Sequence, residues 1–343
     1  MSLPTVRREP AAELAAEPAG EPVVSLDDVT VTVLAGTYEA VRRVSLRVRR
    51  GEAVGLVGES GSGKTLTCRA ALGILPGGCE VARGTVAFGA DDVTRLSSRG
   101  WRRIHGRRVG AVFQDPGGYL NPSIPVGHQL AEAVRTVTGL ARGPARRRAL
   151  ELLRSVGLRD AGRVYRQLPS ELSGGMQQRV LIAIAICGDP ELLVADEATT
   201  ALDVTVQAEI IELIRRLRDE RGLGVLFVSH DLAVISELCD RVMVFYAGEV
   251  VESGPTEEIL LRPRHPYTRA LLRVASLGDY RRRTLEVIPG QPPTLDAAIP
   301  GCRFADRCGS VQDACRSAAV PLRDLGDGRQ VRCVLATSEG RSR

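Results

Sequence analysis

Residues 55–68 read GLVGESGSGKTLTC, placing Gly58, Gly63, Lys64 and Thr65 in the spacing G-x-x-x-x-G-K-T. Glycines at such places let successive backbone N–H groups turn inward on phosphate oxygens. A helix starting at the lysine adds the positive end of its dipole. In that pattern Glu59, Ser60, Gly61 and Ser62 form the wall of the loop. The Lys64 ammonium reaches the outer phosphates of a nucleotide such as ATP, and the Thr65 hydroxyl binds Mg²⁺. Lys64 is the only lysine in 343 residues, and arginine supplies the rest of the positive charge behind the net +5. A bias toward GC-rich codons explains the arginine without invoking nucleic acid. A lysine kept here marks a place where a compact ammonium is needed and a planar fork will not serve.

A phosphate loop needs an acidic partner for its metal. ELLVADEATTALD, residues 191–203, provides one. Four mostly apolar residues, 192–195, make a buried strand that delivers Asp196 and Glu197 at its C-terminal edge, where open α/β sheets bind ligands. Asp196 would hold Mg²⁺ through water, and Glu197 would accept a proton from the attacking water. A second anion-ready helix start, Ser173-Gly174-Gly175, opens ELSGGMQQRVLIAIAI at residues 171–186. One nucleotide in one domain has no use for two such sites. Two copies facing head to tail do, because each can close the other's phosphate site.

These stretches, in this order, resemble the ATP-binding subunit of an ATP-binding-cassette (ABC) transporter. LSGGMQQR is similar to the family signature, Gln114 in VFQDP to its Q-loop, Asp203 at the end of TALD to its D-loop, and His230 in VLFVSHDL to its switch histidine. The resemblance implies catalytic roles for Glu197, His230 and Gln114, with Gln114 also reaching Mg²⁺. It implies that Ser173, Gly174, Gly175 and Asp203 act on ATP across a dimer. FQDPGGYLNPSIPVGHQLAEAV, ADEATTALDVTVQAEIIELI, RPRHPYTRALL and IPGCRFADRC further resemble the di- and oligopeptide or nickel importer branch.

Three positions depart from the family pattern. Ala198 follows Glu197 where proline is usual. Gly117-Gly118-Tyr119 replaces a more polar run before LNP. The strand expected to carry an adenine-stacking aromatic has Val33 and Leu34, which leaves Tyr38 as the candidate.

The elements that must position these residues follow from periodicity. Strands are expected at 24–34, 44–50, 84–89 and 107–113, and a helix at 65–75. Alternating strands and helices then run to residue 254. This alternation implies an α/β fold class, and the resemblance implies an ABC-type phosphate-loop core with an antiparallel β subdomain, a helical subdomain, and a small Cys-rich C-terminal extension. The expected boundaries are a disordered Ala/Glu/Pro-rich leader at 1–22, the ATPase at 23–260 with its helical subdomain near 115–172, and the extension at 261–343. Arg146–Arg148 reads as a solvated helix face, so no nucleic acid is expected. No apolar run approaches the roughly 20 residues of a membrane span.

Four of the eight cysteines, Cys302, Cys308, Cys315 and Cys333, fall in the tail, with five, six and seventeen residues between them. Disulfides are not expected in a reducing compartment. Tight zinc-type pairs are missing, whereas thiolate-only iron–sulfur sites tolerate varied spacing. With the resemblance, this implies a 4Fe–4S cluster that staples a stretch too poor in large apolar side chains to build a core. Zn²⁺ and unliganded thiols are the alternatives. Cys68, Cys79, Cys187 and Cys239 read as small hydrophobes.

The resemblance implies an importer ATPase for peptides at the cytoplasmic face of the cell membrane. Its partners would be a second ATPase subunit, either a homologous but different chain or a second copy of this one, two integral permease subunits and an extracytoplasmic solute-binding protein. Alternatives are the same ATPase serving nickel or another small solute, an exporter, or a soluble ABC ATPase. The last usually carries two cassettes or a long coiled-coil insertion, and neither is visible here.

Overall fold

The computed structural model describes residues 21–114, 116–199, 202–276 and 287–336; residues 1–20 of the expected leader lie outside them. The chain enters through a hairpin of β1 (Pro22–Val33) and β2 (Tyr38–Arg49). Val24, Leu26, Val29 and Val31 of β1 are all fully buried, although Leu26 and Val29 are an odd number of residues apart. A bulge resolves the conflict. The register shifts between Leu26 and Val29, and Asp28 sits at φ 53°. The extra residue returns the following side chains to the core face.

Next come β3 (Ala53–Val57), α1 (Lys64–Ala71), β4 (Glu80–Phe88) and β5 (Asp91–Asp92). Strands β1, β2, β4 and β5 form an antiparallel sheet in the order β2-β1-β4-β5. Helix α1 stops short of the expected residue 75. Gly73 turns left-handed at φ 63°, and a Cβ there would lie 2.0 Å from the Trp101 ring. Only glycine fits both demands.

After α2 (Ser98–Ile104) and β6 (Val109–Phe113) the chain turns helical. The helices are α3 (Pro116–Tyr119), α4 (Val126–Thr138), α5 (Arg142–Ser155), α6 (Ala161–Val164) and α7 (Gly174–Ala185). Helix α5 buries Ala145, Ala149, Leu152 and Leu153. Its basic run faces outward, with Arg148 paired to Asp189 at 2.8 Å and Arg146 over the Tyr165 ring.

Strand and helix then alternate through β7 (Leu192–Asp196), α8 (Val204–Arg221), β8 (Gly224–Val228), α9 (Leu232–Leu238), β9 (Arg241–Tyr246) and β10 (Glu249–Pro255). Helices α10 (Thr256–Leu261), α11 (Pro266–Ser276) and α12 (Ala314–Ser317) and strands β11 (Arg323–Gly326) and β12 (Arg329–Val331) complete the described elements. The second sheet runs β11-β12-β10-β9-β3-β8-β7-β6. Its five strands from β9 to β6 are parallel. β3, β7 and β8 are buried throughout, as strands covered on both faces must be.

The tail is built onto this sheet. β12 pairs with β10 through Glu252↔Val331 and Ser253↔Gln330. Phe304 packs against Tyr246 and Tyr267, with ring centroids 5.2 and 5.4 Å away, and against His265. Glu252 is 1% exposed. It accepts from the Arg264 and His265 backbone N–H groups at 2.7 and 2.9 Å and from Arg329 at 3.4 Å. The tail is thus anchored by strand pairing, ring contacts and a buried ion pair. It has no core of its own because it shares that of the parallel sheet.

His265 gives this junction a pH dependence. Burial holds the imidazole neutral, its pKa lowered to about 3. In an unfolded chain the value is about 6.5. Between these limits only the unfolded chain takes up the proton. The stability present above about pH 6.5 is therefore lost as pH falls toward about 3, by about 1.4 kcal/mol per unit at most. Denaturant titrations from about pH 8 down to about pH 5 should show this loss, and His265→Gln should flatten it.

Candidate nucleotide site

Strand register gathers the site along one edge of the parallel sheet. Leu56 pairs with Val228, Val228 with Asp196, and Asp196 with Phe113. Just beyond this row lie the Gly58–Thr65 loop, Ser229-His230, Glu197 and Gln114. Residues distant in sequence meet here because each ends a strand of the same length in the same register.

Within the loop, Gly58, Gly61 and Gly63 take φ of 145°, 75° and 103°. Gly58 also has no room for a side chain, since a Cβ would lie 2.2 Å from the Phe245 carbonyl oxygen. Gly58→Ala should therefore cost about 1–3 kcal/mol or more in stability and weaken nucleotide binding as well. Thermal unfolding and an ATP titration of the same variant would check both. Lys64 is 5% exposed. Its Nζ donates to the carbonyls of Gly58 and Glu59 at 2.8 and 2.9 Å and to Ser62 Oγ at 3.3 Å. Burial pushes its pKa down, while Glu197 and Asp196 pull it back up. The ammonium thus spans the loop and faces both carboxylates.

Thr65 Oγ1 donates to Asp196 Oδ1 at 3.2 Å. Asp196 is buried, and burial raises its pKa against the opposing pull of Thr65, Arg69 and Lys64. A buried carboxylate beside a hydroxyl suits a hard cation that takes its remaining ligands from phosphate and water. These residues fit Mg²⁺.

Glu197 stands at φ 51°, a left-handed conformation that a glutamate rarely adopts. Its backbone N–H donates to the Val228 carbonyl at 3.1 Å, which ties the strained residue to the sheet. His230, exposed, places Nδ1 3.9 Å from Glu197 Oε1. Strain held in this way concentrates at functional sites.

The remaining candidates are dispersed around this edge. Gln114 is exposed after β6, and its neighbour Asp115 lies outside the described residues. Ser173 Oγ caps α7 by accepting from the Met176 N–H at 3.3 Å. Gly174 is exposed, whereas Gly175 is buried, where a Cβ would lie 2.5 Å from Val206. Asp203 caps α8 by accepting from the Val206 N–H at 2.9 Å. Tyr38 opens β2, two residues before Ala40, whose carbonyl oxygen would lie 3.1 Å from a Cβ on Gly63.

Comparison with known proteins identifies the family. Residues 41–200 match the ABC transporter family, and residues 251–315 match the oligopeptide/dipeptide transporter C-terminal region. A putative peptide import ATP-binding protein of Brucella abortus is 45% identical over 298 residues, covering 87% of this chain and 90% of that one. The chain belongs to the ABC transporter ATP-binding family. A probable D,D-dipeptide transport ATP-binding protein, DdpD of Escherichia coli, is 44% identical over 299 residues, 87% of this chain and 90% of its own. The oligopeptide transport ATP-binding protein OppD of Mycobacterium tuberculosis is 44% identical over 91% of this chain but only 52% of its own length. Among solved structures, the dimeric post-hydrolysis cassette MJ0796 bound to ADP and Pi matches with TM-score 0.60 and 29% identity, over 68% of this chain and 98% of that one.

In this ABC ATPase the four tail cysteines stand near one another. The four thiols lie within electrostatic reach of one another, and burial raises the pKa of Cys302 to about 11 and that of Cys308 as well. Yet among the described residues no group of three or more His, Cys, Asp or Glu side chains is gathered so that it could hold a metal ion. Neither the 4Fe–4S cluster nor the zinc alternative is supported by this arrangement. Cys315 and Cys333 are buried within the packed junction, and Cys68, Cys187 and Cys239 are buried elsewhere in the ABC ATPase.

Sequence reasoning missed two residues at the phosphate loop. Tyr267 Oη accepts from the Glu59 N–H at 2.9 Å, and Arg307 grips the Glu59 carboxylate at 2.7 and 2.9 Å. Both stand in stretches that matched the family, RPRHPYTRALL and GCRFADRC. No local pattern marks a contact across 208 and 248 residues.

Proposed function

We propose that this chain is the ATP-hydrolysing subunit of an importer for di- or oligopeptides. The observation that carries the reading is the coupling of a complete cassette to a peptide-transporter C-terminal region. Similarity to peptide import ATPases over most of the chain supports it. The cassette spans residues 23–260, with its helical subdomain near 115–172, and the extension follows from 261.

Two ATPase subunits enclose ATP. The loop from Gly58 to Thr65 of one chain holds the phosphates, and Ser173, Gly174 and Gly175 of the other close over them. Asp203 lies between the two sites. The loop N–H groups and the Lys64 ammonium stabilise charge on the transferring phosphoryl group. Mg²⁺, held by Thr65 and Asp196 and approached by Gln114, neutralises phosphate charge when bound. Glu197 takes the proton from the attacking water, His230 contacts the γ-phosphate, and Tyr38 stacks on adenine. The subunit is peripheral at the cytoplasmic face of the membrane, where it drives two permease subunits supplied by an extracytoplasmic solute-binding protein. No helix among the described residues is long and apolar enough to cross the membrane.

The test is transport. In the native cell, replacing the chain with its Glu197→Gln form should abolish uptake of labelled di- or oligopeptides and leave nickel uptake intact. Retained peptide uptake with lost nickel uptake would overturn the assignment.

A further inference from the structure

We propose that the C-terminal extension sets the shape of the phosphate loop through Arg307 and Tyr267, which act as positioning residues for nucleotide binding. The inference rests on the reading of Gly58–Thr65 as the ATP phosphate loop.

Glu59 is held at three points. Its N–H donates to Tyr267 Oη at 2.9 Å, its carbonyl accepts from Lys64 Nζ at 2.9 Å, and its carboxylate accepts two bonds from Arg307. The N–H is thereby directed away from the phosphate cradle, which fixes where the loop begins to curl. The Arg307 side chain is 4% exposed and spends every donor it has. Two go to Glu59, one to Tyr246 Oη at 3.2 Å, and one each to the Ile288 and Pro289 carbonyls at 3.0 and 2.9 Å. The guanidinium also lies over the rings of Tyr246 and Phe304. Tyr267 is fully buried in the same aromatic group.

The fork-to-carboxylate geometry is directional, so this link transmits position as well as charge. Lys64, the residue that reaches phosphate, rests on the carbonyl of the very residue being gripped. A shift of the Ile288–Arg307 stretch therefore moves Glu59 and the lysine seat together. The extension is in this sense part of the ATP site's supporting structure.

The experiment uses the purified full-length chain titrated with ATP and magnesium. Arg307→Met should weaken ATP binding about tenfold, and Arg307→Lys, which keeps the charge but loses the fork, should fall between it and the parent. Glu59→Gln combined with Arg307→Met should bind no worse than Arg307→Met alone, because both remove one link. Tyr267→Phe keeps the packed ring and loses only the acceptor, so it remains informative if Arg307→Met fails to fold. It should cost several-fold in affinity, about the value of one hydrogen bond. ATP affinities within about twofold of the parent in the folded variants would overturn the proposal, as would fully additive losses in the double variant. A parent chain that bound no ATP would instead overturn the nucleotide-site reading, and this inference with it.

Discussion

Replacing Glu197 with glutamine is expected to cut ATP turnover by about 100- to 10,000-fold while leaving ATP affinity near that of the parent. Glutamine preserves the size of the side chain and the strained backbone at φ 51°. In the proposed role it removes the capacity to accept a proton from water. His230 cannot substitute in place, because its imidazole is exposed and 3.9 Å from the carboxylate it would replace. Phosphate release under single-turnover conditions, paired with an ATP titration, separates the chemical step from binding. Turnover within threefold of the parent would show that another group takes the proton.

The second large effect is expected from Lys64→Arg, a substitution that conserves charge. The ammonium occupies a pocket with three acceptors, the Gly58 and Glu59 carbonyls and Ser62 Oγ. A guanidinium is wider, planar and carries five donors in a fixed fork. Fitting it must push the loop open against Gly58, which has no spare room beside Phe245. Hydrolysis should fall by about 100-fold or more and ATP binding by about tenfold, since the conserved charge is no longer aimed at the transferring phosphoryl group once the loop's shape changes. Steady-state turnover and an ATP titration check the two numbers separately. Near-parental turnover would mean that position, and not the compact ammonium, is what the site requires.

Much of the site could be read in the sequence because its chemistry is local. The loop needs glycines within eight residues, and Asp196 and Glu197 follow a strand they adjoin in the chain. Ser173 stands at the start of its own helix. What escaped was non-local or compensated. The bulge at Asp28 restores a core pattern that strict alternation would break. The gripping of Glu59 by Arg307 and Tyr267 depends on how β9, α11 and the tail pack, which no short spacing encodes. The cysteines are a related case. Their count and gaps, with the resemblance, suggested a metal, but spacing in sequence says nothing of how the tail packs. The stretch found its stability in Phe304, β12 and the buried Glu252–Arg329 pair.

The link between Glu59 and Arg307 also has a consequence for the order of events during synthesis. The two residues are 248 positions apart. At roughly 5–20 residues added per second, about 12–50 seconds pass between the appearance of one and of the other. For that interval the nascent cassette has its glycine loop and its lysine but no clamp upon them. The β10 edge, where β12 will pair, closes later still, although it waits for a shorter stretch of synthesis. If the clamp shapes the loop as proposed, full nucleotide affinity comes late to this chain, when the tail docks and not when the loop itself emerges.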